Sequence, residues 1–362
     1  PQGRIIMREF GSEFEIEYAR DYYFDDLCKL KEHHAFTRSG REAIGLAATE
    51  IEKGVVLIPA YCCWSMELPF EEAGFTVEYY RLNEDLSVDK EYLCEQIKKY
   101  APKAILAMNY FGFVPTADIV SFIKETDGNI KVIEDFTQSL FCLKENYNPM
   151  VDAYVASIRK SVGVPDGGII VTSLPIDASV LEDGADTPFV SEHITAGREK
   201  MRYRYTGCAD DKTAFREKQG VAGKDIKENY GLYHISDEAK SVVEHTIVDT
   251  VRCARYNNYM HLYEAIKDVN AFRVLFAPSE SNQAPFTMVV CAENRSEVQT
   301  AMAKVGVYAQ VLWPLKEKAK EICSVSKYME EHMLAIPIDQ RYFYDDIMEM
   351  GERINSVVKS VS

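Results

Sequence analysis

Three polar positions follow one another along this chain at the ends of predicted elements. Lys160 comes after an apolar run at 154–156 and before the glycine pair at 167–168. Asp135 ends an earlier apolar run, and Ser39-Gly40-Arg41 opens a predicted helix. A lysine amine attacks carbonyl groups, a carboxylate stabilises a protonated ring nitrogen, and a helix N-terminus binds phosphate. The ordered set predicts a site for pyridoxal phosphate.

Two ionisable groups divide the predicted chemistry between them. Lys160 would form the Schiff base with the cofactor, and Asp135 would pair with the pyridine nitrogen so that the ring accepts electrons. Taken singly, Lys160 also fits a solvated surface lysine, and Asp135 also fits a helix N-cap. Glu134 alternates to the opposite face of the strand, so we expect a structural role for it.

The other predicted cofactor contacts come from side chains that also have ordinary structural explanations. Ser157 would add a hydroxyl to the phosphate held by the Ser39-Gly40-Arg41 turn, although Ser-Gly is also a common helix cap. Tyr61 or Trp64 would stack on the ring, and hydrophobic packing explains both equally well. Gln138 would contact the ring's 3-hydroxyl or cap the following helix. Only the order of the whole set is distinctive.

Composition narrows the class of protein. The chain has 362 residues, of which 47% are hydrophobic, enough for one large or two moderate globular domains. A net charge of −16 argues against nucleic-acid or anionic membrane surfaces, but not against small phosphorylated ligands. Nine irregularly spaced cysteines are typical of a reducing cytosol. No apolar run is long enough to span a membrane, and the seven histidines are scattered, which argues against a metal site. We therefore expect a cytoplasmic protein without metal, nucleic-acid or membrane partners.

Helical and strand patterns alternate from residue 36 to residue 172. The predicted strands are 55–58, 76–80, 104–108, 131–134, 154–156 and 169–172, and the predicted helices are 43–51, 66–73, 90–99 and 118–125. This alternation predicts an α/β fold with a parallel sheet covered on both faces. Ligands bind at the carboxyl ends of such strands. Asp135, Ser157 and Lys160 all lie at those ends.

The remaining chain predicts a second, smaller unit after a long excursion. The charged segment 175–231 reads as irregular chain over the surface or in a subunit interface, and a long helix is predicted over 236–266. The later predicted strands are 286–290 and 308–312, and the later predicted helices are 297–305 and 344–358. We expect an N-terminal arm over 1–35, a large cofactor-binding domain over 36–250 and a small α+β domain over 251–362.

Short motifs along most of the chain match one known family. They are Ser39-Gly40, Ile58-Pro59-Ala60, Tyr110-Phe111-Gly112, Ile133-Glu134-Asp135 with Gln138, Ser157 to Lys160 before Gly167-Gly168, Gly306 to Val311, and Ile336 to Gln340. With these motifs the chain resembles the DegT/DnrJ/StrS family of fold-type-I pyridoxal-phosphate aminotransferases. Most members aminate keto sugars carried on nucleotides.

The resemblance carries several expectations. It implies a large, mostly parallel α/β/α sandwich domain with a smaller α+β domain, and a homodimer whose active sites are shared. It implies glutamate as the amino donor and Lys160 as the general base that moves a proton between substrate and cofactor. The presence of Lys160 weighs against the family's dehydratase members, in which a histidine replaces the lysine.

Three features depart from the family pattern. Arg41 replaces the usual Thr or Ser, so one phosphate hydroxyl is missing, and arginine would either replace it with charge or point away. Tyr233 replaces an asparagine that commonly reaches the partner subunit's phosphate. The charged excursion before Tyr233 has no counterpart in the pattern.

The leading hypothesis is therefore an aminotransferase acting on a nucleotide-linked keto sugar in surface polysaccharide or amino-sugar synthesis. One alternative is another fold-type-I reaction, such as a lyase or aldolase acting on an amino acid. A second alternative is a non-catalytic regulatory protein that binds the cofactor, which the changes at Arg41 and Tyr233 would favour. Discharge of the bound cofactor by glutamate distinguishes the three.

Overall fold

The larger of two sheets occupies the first half of the chain. The computed structural model describes residues 21–279 and 284–358. The strands are β1 (His33–Thr37), β2 (Val55–Pro59), β3 (Thr76–Tyr80), β4 (Ala104–Met108), β5 (Lys131–Asp135), β6 (Ala153–Ala156) and β7 (Gly168–Thr172). Their order across the sheet is β1-β7-β6-β5-β4-β2-β3. Strands β2 to β6 run parallel to one another, and β7 is antiparallel to both β6 and β1.

The central strands are covered on both faces, as predicted. Every residue of β4, β6 and β7 is buried. The helices of this half are α1 (Tyr23–Cys28), α2 (Gly40–Thr49), α3 (Trp64–Glu72), α4 (Lys90–Tyr100) and α5 (Ala117–Thr126). Local side chains cap two of these helices, α2 and α4: in α4 the carboxylate of Asp89 accepts a hydrogen bond from Tyr92 N–H over 3.0 Å. The predicted alternation of helices and strands is confirmed.

The predicted irregular excursion at 175–231 is wrong, because most of it is a helical hairpin. Its helices are α6 (Pro188–Thr206) and α7 (Ala209–Glu228). Pro188 opens α6, and Gly207 ends it in the left-handed region with φ 66°. Between them these helices bury only a small apolar cluster around Phe189, Val190 and Ala222. The apolar stripe that identifies most helices in a sequence is therefore weak here.

The long helix predicted over 236–266 is two helices. They are α8 (Asp237–Glu244) and α9 (Val248–Ile266). The start of α9 is capped from a distant part of the chain, since the carboxylate of Asp21 accepts a hydrogen bond from Val248 N–H over 2.9 Å. A cap that comes from more than two hundred residues away leaves no local pattern.

A second sheet has its own apolar core. Its strands are β8 (Arg273–Val274), β9 (Met288–Cys291) and β10 (Met333–Ile336), in the order β10-β9-β8. The helices of this part of the chain are α10 (Arg295–Lys304), α11 (Glu317–Ile322), α12 (Ser324–His332) and α13 (Tyr344–Val358). The strand predicted over 308–312 is wrong, because only Gln310 pairs there, opposite Ala335.

The division into domains stays a prediction. Strand β1 begins before residue 36, and α9 crosses the predicted boundary at residue 250. Residues 1–20 of the predicted arm lie outside the described residues. In the ranges 21–279 and 284–358, no helix is long and apolar enough to cross a bilayer, and no cluster of three His, Cys, Asp or Glu side chains could hold a metal ion.

Candidate active site

Lys160 lies in the turn that follows β6. Residues 158–160 form a single 3₁₀ turn that ends at Lys160, whose side chain is exposed. The carbonyl oxygen of Gly167 accepts hydrogen bonds from Ile158 N–H over 2.9 Å and from Arg159 N–H over 3.3 Å. The residue that precedes β7 therefore anchors the backbone that carries the lysine.

Asp135 is the last residue of β5 and pairs with Val155 of β6. Its Oδ1 accepts a hydrogen bond from Thr137 N–H over 2.7 Å, and the Thr137 hydroxyl accepts one from Ser157 N–H over 3.0 Å. Burial raises the pKa of Asp135 above its ordinary value, while Thr137 and the charge of Lys160 oppose that increase. The two predicted catalytic groups are therefore close enough to interact. Thr137 links Asp135 to the backbone of Ser157, three residues before Lys160, and only its place after a strand-end acid hints at this in the sequence.

Helix α2 begins against the ends of both β6 and β7. A Cβ atom added to Gly40 would lie 3.0 Å from the backbone nitrogen of Ser157. One added to Gly168 would lie 2.3 Å from the carbonyl carbon of Ser39. Glycine at both positions allows this approach. It brings the N–H groups of the first turn of α2, which favour anions, beside Ser157.

The hydroxyl of Ser39 acts as a helix cap. It accepts a hydrogen bond from Arg41 N–H over 3.3 Å and donates one to Glu42. Glu42 in turn forms a buried ion pair with Arg38, with 2.8 Å between Oε1 and Nη2. Because this hydroxyl has two partners, a phosphate bound at this turn would depend on backbone N–H groups and on Ser157. The Ser157 hydroxyl has no hydrogen-bond partner in the described part of the chain.

Arg41 is directed towards the helical hairpin. Its Nη1 donates a hydrogen bond to the carbonyl oxygen of Ile226 in α7, and its guanidinium carbon lies 4.6 Å from the centre of the Trp64 ring. Burial lowers the pKa of Arg41. These contacts join α2 to the hairpin, and the role of Arg41 as a phosphate ligand stays a prediction.

Tyr61 and Trp64 differ in exposure. Tyr61 is fully buried, with its ring stacked on Tyr110 at a centroid separation of 6.0 Å and packed against Trp313 at 4.9 Å. Trp64 is half-buried. Tyr110 and Trp313 thus pack against the Tyr61 ring, whereas the Arg41 guanidinium lies 4.6 Å from the centre of the Trp64 ring. Which of the two rings stacks on the cofactor stays a prediction.

Gln138 has one polar atom committed and one available. Its Oε1 accepts a hydrogen bond from Phe111 N–H over 2.8 Å, which supports a residue with φ 55°. Its Nε2 has no hydrogen bond within the described ranges. The amide nitrogen thus remains available for the predicted contact with the cofactor.

Tyr233 contacts Arg38 of its own chain through both its ring and its carbonyl oxygen. Its ring lies 4.1 Å from the guanidinium carbon of Arg38, and its carbonyl oxygen accepts a hydrogen bond from Arg38 N–H over 2.9 Å. This pairing stabilises the start of α2 from a position where the family pattern has an asparagine.

Lys160 opens into a cleft of about 1050 Å³ that α6 and the loop after β10 also line. Arg255 of α9 is buried below it, with Nε donating to Gln340 Oε1 over 3.0 Å and Nη2 donating to the carbonyl oxygen of Ser161 over 3.4 Å. Burial lowers the pKa of Arg255 to about 10. Nothing in the sequence singles out Arg255, because an arginine inside a helix carries no signal of its own.

Solved structures share this architecture over nearly the whole chain. A DegT DnrJ EryC1 StrS aminotransferase from Brucella abortus aligns with 92% of this chain and 89% of its own at TM-score 0.61 and 17% identity. Helicobacter pylori PseC, an aminotransferase of pseudoaminic acid biosynthesis, aligns over 93% and 90% at TM-score 0.63 and 13% identity. A Streptococcus pneumoniae protein assigned as a sugar aminotransferase and solved in its PMP form gives the same four values. No protein-family model and no curated protein matches the chain.

This likeness confirms the predicted fold class. The chain has the α/β architecture of fold-type-I aminotransferases, with a large, mostly parallel sheet and a second, smaller sheet. At identities of 13–17% a shared fold does not carry an activity with it, so the function depends on the residues of the site.

Proposed function

We propose that this protein is a pyridoxal-phosphate-dependent aminotransferase that transfers the amino group of glutamate to a keto sugar carried on a nucleotide. The proposal rests mainly on the position of three side chains in the fold. Asp135, Ser157 and Lys160 lie at the carboxyl ends of the adjacent strands β5 and β6, and the start of α2 packs against the same edge. Ligands bind at this edge in parallel α/β sheets.

The residues present fit pyridoxal phosphate. Gly40 and Gly168 let the positive end of α2 lie beside Ser157, because a Cβ atom at either glycine would come within 3.0 Å of backbone atoms. Asp135 offers a buried carboxylate of raised pKa, which a protonated ring nitrogen would stabilise in its charged form. Lys160 adds an exposed amine within electrostatic range of Asp135.

Each residue would then have a defined task. When bound, the cofactor supplies an electron sink. The Lys160 amine would hold the cofactor at rest and, once released, would move the proton at the substrate's amine-bearing carbon as a general base. Asp135 would keep the ring nitrogen protonated, and Gln138 with either Tyr61 or Trp64 would orient the ring. Phosphate binding by α2 and Ser157 would fix the distance between ring and lysine.

The acceptor is proposed from the cleft and from the activities of similar structures. One of these structures is an aminotransferase of pseudoaminic acid biosynthesis, and another is assigned as a sugar aminotransferase. A cleft of about 1050 Å³ is larger than an amino acid requires. This favours a nucleotide-linked sugar in surface polysaccharide or amino-sugar synthesis over a lyase or aldolase reaction on an amino acid.

The visible absorbance of the purified protein tests this function. Added pyridoxal phosphate should give the band of the lysine-bound cofactor in the wild type and in Lys240→Ala, but not in Lys160→Ala; Lys240 is an exposed lysine of α8. Glutamate should discharge the band. A band that glutamate leaves unchanged would indicate a different amino donor or a different reaction, such as that of a lyase or aldolase. No band in the wild type would leave a non-catalytic protein and overturn the proposal.

We also propose a homodimer in which the second copy completes each active site. The exposure of Lys160 in a single chain supports this, because the chemistry requires a site shielded from water. Light scattering on the eluting protein should give twice the chain mass of 41.2 kDa. A monomer mass at working concentrations would contradict the proposal.

A further inference from the structure

Positive charge is concentrated in the Lys160 cleft. Seven lysines and arginines line it, against three acidic residues, so its formal charge is +4, whereas the whole chain carries −16. Helix α6 contributes Arg198, Lys200 and Arg204 to this lining, and the loop after β10 contributes Arg341. A basic cleft in an acidic protein raises the local concentration of anions.

The cations of α6 that line the cleft are uncompensated. Within residues 21–279 and 284–358, Arg198, Lys200 and Arg204 have no ion-pair partner. Arg202 of the same helix does not line the cleft, and it is paired with Asp211 at 2.5 Å. The hairpin thus supplies acidic partners elsewhere on its surface but not along the cleft.

Lys200 is the most constrained of these cations. It is half-buried, and its Nζ lies 5.9 Å from the centre of the Phe215 ring. Burial lowers its pKa, and the positive charges of Arg341 and Arg204 lower it further against the opposing effect of Asp339. Lys200 and Arg204 are also one helical turn apart, a spacing at which like charges repel. A bound anion would remove this repulsion.

We propose that Lys200 and Arg204, together with Arg341, bind a diphosphate group of the acceptor substrate. The proposal rests on the proposed function and assigns the nucleotide end of the acceptor to the α6 wall of the cleft. The geometry favours a diphosphate over a single carboxylate. Asp339 already accepts two hydrogen bonds from Arg341, over 2.6 and 2.7 Å, so a lone carboxylate would duplicate a partner that Arg341 has. Lys200 and Arg204 have no ion-pair partner in the described residues and lie one helical turn apart near Arg341, a spacing that matches two phosphates.

Calorimetric titration with inorganic pyrophosphate tests this site. The wild type should bind it, and Lys200→Gln with Arg204→Gln should weaken binding at least tenfold. The matched control is Lys224→Gln with Lys227→Gln, two exposed lysines of α7 outside the cleft. It removes the same charge and should change the affinity by less than twofold.

Several results of this titration would contradict a diphosphate site. Equal affinity in the wild type and the cleft variant, or no binding by the wild type, would overturn it. So would glutarate binding as tightly as pyrophosphate, since the site would then select carboxylates. If the double variant fails to fold, the exposed Arg204→Gln alone should still weaken binding severalfold. Failure of the proposed function is seen separately, as the lack of a cofactor band in the wild type.

Discussion

The side-chain amide of Gln340 donates a hydrogen bond to the carbonyl oxygen of Ser161 over 2.9 Å. Ser161 follows Lys160, and Gln340 lies in the loop after β10, so this bond joins the second sheet to the turn that carries the lysine. Arg255 adds a second donor to the same oxygen over 3.4 Å and also holds Gln340. Residues distant in sequence therefore position the backbone beside Lys160.

Gln340→Glu tests this positioning. Glutamate at this position can still accept from Arg255 but cannot donate to the Ser161 carbonyl oxygen, so stability should fall by about 1–3 kcal/mol. If Lys160 is displaced, kcat should fall more than KM rises. Urea denaturation and the rate at which glutamate discharges the cofactor band measure the two effects. Gln310→Glu adds the same charge at an exposed loop residue, and similar losses in both variants would contradict the positioning role.

Asp135→Asn should separate folding from activity. Burial already disfavours the charged carboxylate, so asparagine should leave the apo protein at least as stable as the wild type. Turnover should fall on the order of 100-fold or more, because a neutral amide does not hold the ring nitrogen protonated. Denaturation curves and steady-state rates provide the comparison, with Asp89→Asn, which retains a helix-capping oxygen, as control. Unchanged turnover would mean that another acid serves the ring.

The strands of the larger sheet were the most predictable part of the fold. The predicted segments 76–80 and 104–108 coincide with β3 and β4 residue for residue. The apolar run of β4 is buried throughout, and in the edge strand β3 the aromatic pair Tyr79 and Tyr80 is buried, so in both strands the β-forming pattern and the burial coincide. Strand β1 was not predictable in this way, because His33 and His34 are exposed and its pairing with β7 is antiparallel and distant.

The positions of the candidate site residues in the fold were predictable where strand ends determine them. Asp135 and Lys160 follow directly from the order of strands along the chain. Thr137 and Arg255 did not, because they act through hydrogen bonds to backbone atoms, which any sequence can offer. The hairpin was missed for a different reason: its helices bury few apolar residues, and hydrophobic periodicity is the main signal for a helix.

Glu134→Gln should change how stability depends on pH. Glu134 is fully buried, its Oε1 accepts a hydrogen bond from the Thr116 hydroxyl, and its Oε2 has no hydrogen-bond partner within the described residues. Burial first, and then Asp135, raise its pKa well above the ordinary 4.5. The folded protein therefore keeps a proton that the unfolded chain releases.

The sign follows from this difference in proton binding. Wild-type stability should fall as pH rises from the unfolded pKa towards the folded pKa, by up to about 1.4 kcal/mol per pH unit. The glutamine variant lacks this titration, so its stability relative to the wild type should increase between about pH 5 and about pH 8. Urea denaturation at both values measures it, with the exposed Glu84→Gln as control. A difference independent of pH would show that Glu134 is charged in the folded protein.

Gly168→Ala tests whether the start of α2 lies against β7. The added Cβ would be 2.3 Å from the carbonyl carbon of Ser39 and 2.6 Å from the nitrogen of Gly40, both backbone atoms, so the helix must shift. We expect a loss of about 3 kcal/mol or more and weaker binding of pyridoxal phosphate. Gly223→Ala in α7, where the Cβ meets open space, should instead stabilise the protein by about 0.5–1 kcal/mol. If denaturation shows equal stabilities for the two variants, the N-terminus of α2 does not form the phosphate cradle described by Gly40, Ser157 and Gly168.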